Sequence, residues 1–364
     1  MKRESHVAFW LIGALVTFLL LYVLRGVLMP FVAGMAVAYL LDPLADRLEK
    51  LGLSRIWATV VITASFFLIV ILALVLLFPL IQAQIFSFAH SVPAYADRLV
   101  TRAEPMVAAL LEQVGPEEVA RLRATAAEYA GTVAGWLVGT LRSLLAGGAA
   151  LVNVLTLFFI TPIVAFYLLR DWDRLTQAVD GWLPRDHADT IRAQLREIDD
   201  RLSGFVRGQA LVCVVLGSFY AIGLTAVGLE MGLVVGLLSG LLSFVPYLGS
   251  IFGFVASVGL AILQAPDWVL PVLAAGIFFT GQIMEGNFLT PKLVGERIGL
   301  HPVWVIFALL AGGGLFGFTG LLLAVPVAAV IGVLARFALQ RYLASPFYSR
   351  RTVQAPLPPS ETPP

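Results

Sequence analysis

Charge is scarce in this sequence. Charged residues make up 13% of its 364 positions, about half the share of a soluble domain, and long blocks exclude them altogether. None lies between Arg55 and Asp97, or between Arg142 and Arg170. Further empty blocks run from Arg207 to Glu230, Glu230 to Asp267, Asp267 to Glu285 and Arg297 to Arg336. A helix needs about 20 apolar residues to cross the hydrocarbon core, and no soluble core needs so many such blocks. The composition therefore places the chain in the lipid bilayer. A net charge of +1 argues against a nucleic-acid partner.

Cysteine is nearly absent. Cys213 alone excludes an intramolecular disulfide, and its apolar surroundings read as core packing. The four histidines (His6, His90, His187, His301) are too scattered for a metal site, and no His-Glu-x-x-His occurs. There is no Gly-x-Ser-x-Gly elbow. The glycines of 312–320 lack the Lys-Ser/Thr ending of a phosphate loop. These absences argue against an enzyme and against a metal or cofactor, and they leave ATP-driven work to a separate subunit.

What is present is apolar and helical. The expected fold class is all-α, a polytopic integral membrane protein with about eight transmembrane segments, some broken or re-entrant, plus amphipathic insertions. The spans fall at 7–24, 27–41, 57–80, 148–169, 209–229, 232–264, 269–286 and 303–337. The first run lacks a small-x-small cleavage site and reads as a retained span rather than a signal peptide. The chain thus divides into 1–80 with spans one to three, an insertion at 81–147, span four at 148–169, a second insertion at 170–208, spans five to eight at 209–345, and a Pro-rich, disordered tail at 346–364. In the first insertion, Leu122, Ala126, Tyr129, Val133 and Trp136 form a stripe suited to a membrane surface or partner helix. In the second, after a turn at Leu183-Pro184-Arg185, Ile191, Leu195, Ile198, Leu202 and Phe205 fall at a/d spacing, with Glu197 and Arg201 one turn apart. Packing on the same protomer and contact between subunits both satisfy that pattern.

Lys and Arg number 16 on the cytoplasmic side and 8 on the other if the N-terminus is cytoplasmic, which puts both termini inside. The 36 uncharged residues of 231–266 would make one helix of about 54 Å against a core of about 30 Å. Pro246 sits mid-block and should break it, because proline removes a donor and clashes one turn back. The block 298–335, with Gly312, Gly313, Gly314, Gly317, Gly320 and Pro326, repeats the situation; Pro30 and Gly34 do so more weakly. Broken helices at membrane depth are tolerated where protein or a water-filled cavity surrounds them, and transporters use them to bind substrate. Re-entrant hairpins and kinked spans both fit; with two hairpins Lys292 and Arg297 move inside and the count becomes 18 to 6.

Ionisable groups inside apolar blocks are costly and therefore functional candidates. Glu285 is foremost, with Gln282 one turn before it and Asn287 just after. A carboxylate held from water readily takes a proton or a cation; a surface carboxylate paired with Lys292 or Arg297 is the alternative. Arg207 and Gln209 open span five and read as gating or interface residues, with simple snorkelling of Arg207 the plainer account. Asn153 and the Thr161-Pro162 pair read as helix–helix contacts.

Several segments together resemble the signature of the AI-2E (autoinducer-2 exporter-like) transporter family. They are Gly286-Asn-Phe-Leu-Thr-Pro-Lys-Leu-Val-Gly295, Gly299-Leu-His-Pro302, Gly312-Gly-Gly-Leu-Phe-Gly317 with Gly320, and Ala324-Val-Pro326. To these are added Pro30-Phe-Val-Ala-Gly34, Ala38-Tyr-Leu-Leu-Asp-Pro43, Phe205-Val-Arg-Gly-Gln209 and Phe244-Val-Pro-Tyr-Leu-Gly249. The resemblance covers 1–345 in order. It implies about eight spans, a bacterial inner membrane, homo-oligomers, and either export of small signalling molecules or monovalent cation/proton antiport, with a small solute, proton or Na⁺ as the species carried. It places Glu285, Asn287, Pro291, Lys292, Pro246 and Gly249 at signature positions. Glu285, Gln282, Asn287, Lys292, Pro246, Tyr247 and Gly249 form the candidate pathway of a secondary transporter. A non-transporting scaffold and a passive channel are the alternatives.

Overall fold

The computed structural model describes residues 3–111, 148–294, 300–345 and 348. The stripe at 122–136, Arg297 and the Pro-rich tail lie outside the described residues, as does the side chain of Asn153.

The described chain is helical. α1 (Arg3–Val23) is followed by a 3₁₀ turn (Arg25–Val27), α2 (Leu28–Lys50) and α3 (Arg55–Leu111). Then come α4 (Gly148–Gly181), a second 3₁₀ turn (Arg185–His187), α5 (Ala188–Ala226), α6 (Gly232–Leu242), α7 (Leu248–Gln264) and α8 (Val269–Met284). α8 passes directly into a π-helix, Glu285–Val294, and α9 (Pro302–Leu343) ends the described run. Among the described residues, six helical stretches are long and apolar enough to cross a membrane, with α6 and α7 shorter apolar helices. Apolar side chains cover their outer surface: Leu68, Ile69 and Phe78 of α3 are all about two-thirds exposed, as expected where the solvent is lipid.

α3 runs unbroken through position 80, and α4 and α5 continue through 169 and 209. Hydropathy changes where the membrane ends, but Ala-, Leu- and Arg-rich sequence remains helical on either side of that boundary.

The chain forms two compact units, Met1–Trp172 with Val206–Gly295, and Asp173–Phe205 with Glu296–Pro364. In the first, Ala38, Leu41 and Ala45 of α2 bury against Leu169 of α4. Gly34 lets the α2 backbone approach Val164, and Thr161 donates to the Pro30 carbonyl at 3.5 Å. Pro30 lies in the first turn of α2, where its missing N–H breaks no helical bond. Asp42, Asp46 and Glu49, on one face of α2, all bind Arg55, whose Nε also donates to the Leu169 carbonyl at 3.1 Å.

The 232–264 block is a hairpin rather than one kinked span. α6 stops at Leu242, the chain turns through 243–247, and α7 returns. Gly232, Gly236 and Gly240 pack α6 against α5: a Cβ at Gly236 would lie 2.2 Å from the Ala221 amide nitrogen, and one at Gly240 2.1 Å from the Gly217 Cα. On α7, Gly249 and Gly253 do the same toward α6, each facing Ser239. Both ends of the hairpin meet the far part of α3. Ser87 Oγ and Ser91 Oγ each donate to Glu230 at 2.9 Å, Tyr95 donates to the same carboxylate, and Arg98 donates to the Gln264 carbonyl at 2.6 Å.

The second unit holds the second reversal. Within α9, Gly317 has φ 61° and ψ −139°, a conformation open to glycine alone. A Cβ at Gly312 would fall 2.5 Å from the Gly320 carbonyl oxygen. Eight residues apart in a straight helix means about 12 Å, so this contact requires the chain to fold back: 302–316 and 318–343 are the two arms of a hairpin. In the same unit Arg192 pairs with Asp180 and Asp189, and Arg201 with Glu197 at 2.6 Å.

Candidate functional site

The site is built from the tip of the α6–α7 hairpin and the C-terminal end of α8. Serines hold the tip's approach. Ser239 Oγ donates to the Val235 carbonyl at 2.6 Å, and Ser243 Oγ to the Ser239 carbonyl at 2.8 Å, so both buried hydroxyls bond back one turn. Gln209 of α5, buried itself, donates its amide to the Ser243 carbonyl, one of those freed where α6 ends. Pro246 and Tyr247 make the turn. Tyr247 is left-handed at φ 68°, the one such non-glycine residue among those described, and its side chain is more than half exposed. Left-handed backbone costs a non-glycine residue about 1–2 kcal/mol, and such strain clusters where function requires a particular side chain. Gly249 follows in the first turn of α7, where a Cβ would meet Ser243 Oγ at 2.3 Å.

α8 brings the carboxylate. Gln282 Nε2 donates to Glu285 Oε2 at 2.9 Å and to Ser250 Oγ of α7 at 2.7 Å, so one amide ties the carboxylate to the hairpin. Beneath them, Tyr220 of α5 stacks on Phe278 of α8 with ring centroids 4.2 Å apart, and both are fully buried. Gly281 accommodates the Tyr220 ring, which a Cβ there would approach to 2.3 Å. At Glu285 the α-helix widens into ten residues of π geometry containing Asn287, Pro291 and Lys292. π turns are ordinarily single and favour functional sites. Among the described residues Glu285 has no cationic partner within salt-bridge distance, and Lys292 lies over the Phe288 ring at 6.0 Å.

Of the residues singled out from sequence, Glu285 and Gln282 are joined directly, and Pro246, Tyr247 and Gly249 form the hairpin tip that Gln209 holds. Asn287 and Lys292 lie farther along the π segment. Arg207 is bound elsewhere: its Nε donates to the Tyr39 carbonyl of α2 at 2.9 Å, and Tyr39 packs edge-on against Trp172 at 5.5 Å. The sequence reading missed Ser250, Tyr220 and the glycines at 232, 236 and 240. Their four-residue spacing is visible in the sequence and marks close helix packing. The Arg55 cluster was also missed, though Asp42, Asp46 and Glu49 are spaced to share a face.

The match to a known family covers nearly the whole chain. Residues 11–340 match the description "AI-2E family transporter". The Bacillus subtilis (strain 168) protein named "Putative transport protein YrrI" is 30% identical over 318 residues, 86% of each chain. The Escherichia coli (strain K12) protein named "Putative permease PerM" is 26% identical over 315 residues, 86% of this chain and 87% of its own. With a multi-pass helical architecture and a match of this extent, the chain belongs to the AI-2E family of transporters.

Proposed function

We propose that the protein is a secondary transporter of the bacterial inner membrane, with both termini cytoplasmic, and that its substrate pathway passes the α6–α7 tip and Glu285. The observation that carries this reading is a half-buried carboxylate without a cationic partner among the described residues, tied through Gln282 to the first turn of a broken helix. A carboxylate so placed binds a proton or a cation, and exchange between the two is the simplest coupling it supports. Monovalent cation/proton antiport is therefore the first reading. The exposed tip residue Tyr247 and the π segment with Asn287 and Lys292 would supply the moving or substrate-facing wall. Self-association is part of this proposal, through the apolar faces outside the described contacts.

The test uses sealed proteoliposomes containing a pH-sensitive dye. A pH gradient is imposed and Na⁺, Li⁺ or K⁺ is added. Wild type is expected to move protons on cation addition, and Glu285→Gln to lose at least nine-tenths of that rate across pH 5.5–8.5. Normal proton movement by Glu285→Gln would remove the coupling role. A silent wild type in liposomes that hold their gradient would turn the assay to efflux of a small signalling molecule.

A further inference from the structure

Gln282, one turn before Glu285 and hydrogen-bonded to it, borders a groove larger than a bare metal ion would need. It lies between α7 and α8, with a volume of about 290 Å³. Ile251, Phe254 and Val255 form one wall and Phe279 the other, with the buried Phe278 as floor. Ser250 and Gln282 close one end. Ile251, Val255 and Phe279 are each more than 60% exposed, so the groove opens outward from the helices toward what is lipid in the membrane.

The polar end consists of two side chains, Ser250 and Gln282, and both lead to Glu285. The Gln282 amide already serves both Ser250 Oγ and Glu285 Oε2. The donors that reach Glu285, the Gln282 amide and the Ser250 hydroxyl, are both neutral, and among the described residues no cation lies within salt-bridge distance, so the carboxylate's formal negative charge has no counter-charge. An anionic head would be repelled there, and a neutral acyl chain would leave that charge without a counter-charge, at a cost in a low-dielectric setting. A primary ammonium supplies three donors and the opposite charge. Phe254 and Phe279 offer ring faces and edges to an aromatic body. A volume near the small end of ligand pockets, which begin at about 300 Å³, fits one ring system rather than a two-chain lipid.

We propose that this groove binds a small amphipathic ammonium, with its charge on Glu285 and its apolar body between α7 and α8, reached from the bilayer. The proposal rests on the reading of Glu285 as a pathway residue and adds the chemical class of the ligand.

The test compares three probes with one ring and three charges: 2-(1-naphthyl)ethylammonium, 2-(1-naphthyl)ethanol and 1-naphthylacetate. Binding is measured by equilibrium dialysis with the full chain in phosphatidylcholine nanodiscs, subtracting empty nanodiscs. The ammonium is expected to bind saturably and at least tenfold tighter than the other two. Glu285→Gln should reduce it to the level of the alcohol, and Phe279→Ala, an outward-facing change, should weaken the ammonium several-fold. Equal binding of ammonium and alcohol overturns the proposal in favour of an acyl chain as occupant. Absent saturable binding, or ammonium binding unchanged by Glu285→Gln, also overturns it. The dye assay separates the two readings. Cation-driven proton movement without ammonium binding removes only the ligand class. Ammonium binding lost in Glu285→Gln while proton movement persists removes the pathway role and leaves the groove.

Discussion

Glu230 shows how a single side chain can be held by residues far away in sequence. It lies in the short connection between α5 and α6, where three hydroxyls converge on it and its own amide donates to Gln264 Oε1 at 2.9 Å. Partial burial works against its charge, but the bonds from Tyr95, Ser87 and Ser91 with the nearby Arg98 prevail and hold the carboxyl below its usual range. Burial and the same carboxylate push the Tyr95 hydroxyl up to about 12. A carboxyl depressed on folding stabilises the fold above its unfolded value, about 4.3, and loses that contribution as pH falls through the folded value. Glu230→Gln is therefore expected to lower the thermal midpoint at pH 7 by the equivalent of about 1 kcal/mol. Thermal unfolding in detergent should show the gap from wild type closing below about pH 4. A gap that widens on acidification would contradict the assigned bonding.

At the scale of elements, small residues decide which helices touch. The stripe of Gly232, Gly236 and Gly240 on α6 leaves no room for a methyl group, since the nearest atoms are α5 backbone and cannot rotate away. Gly236→Ala should cost about 1–3 kcal/mol through overpacking, read as a lower melting temperature and a loss of monodisperse protein on size-exclusion chromatography. Gly276→Ala is the control: nothing lies within 4 Å of a Cβ there, so the substitution should leave melting unchanged or raise it slightly, alanine being the better helix former. The four-residue spacing of these glycines was legible in the sequence. Their partner helix was not, because spacing defines a face without saying what covers it.

For the molecule as a whole, α3 acts as a ruler within the first unit. From Arg55 to Tyr95 it measures about 60 Å, enough to carry its two ends to opposite sides of a bilayer of about 40–45 Å. Its start sits beside the α2–α3 connection, and its far part meets both ends of the α6–α7 hairpin. Leu51 and Asp267 should therefore face opposite compartments. With cysteines introduced singly at these positions after Cys213→Ser, a membrane-impermeant maleimide applied to spheroplasts is expected to label position 267 and to reach position 51 only after lysis. The reverse pattern would invert the topology; labelling of both before lysis would remove the proposed arrangement of α3.

Membrane residence, helicity and the break near Pro246 were all determined by the sequence alone. Each is a local consequence: apolar runs favour hydrocarbon residue by residue, and proline removes its own donor wherever it stands. The AI-2E resemblance was likewise readable from short segments in order. Tertiary structure decided what local rules leave degenerate. A proline or glycine break is equally compatible with a bend and with a full reversal, and only the contacts of Glu230 and Gln264 with α3, and of Gly312 with Gly320, select the hairpins. Glu285 was identifiable as a carboxylate bordering an apolar block, and Gln282 as its neighbour one turn away. Ser250 and the groove beside it were not, because they arise from α7 and α8 packing across 32 positions of chain. Ser87 and Glu230, 143 positions apart, make the same point. Hydropathy is a property of each residue, while the partner that satisfies a polar group is a property of the packed fold.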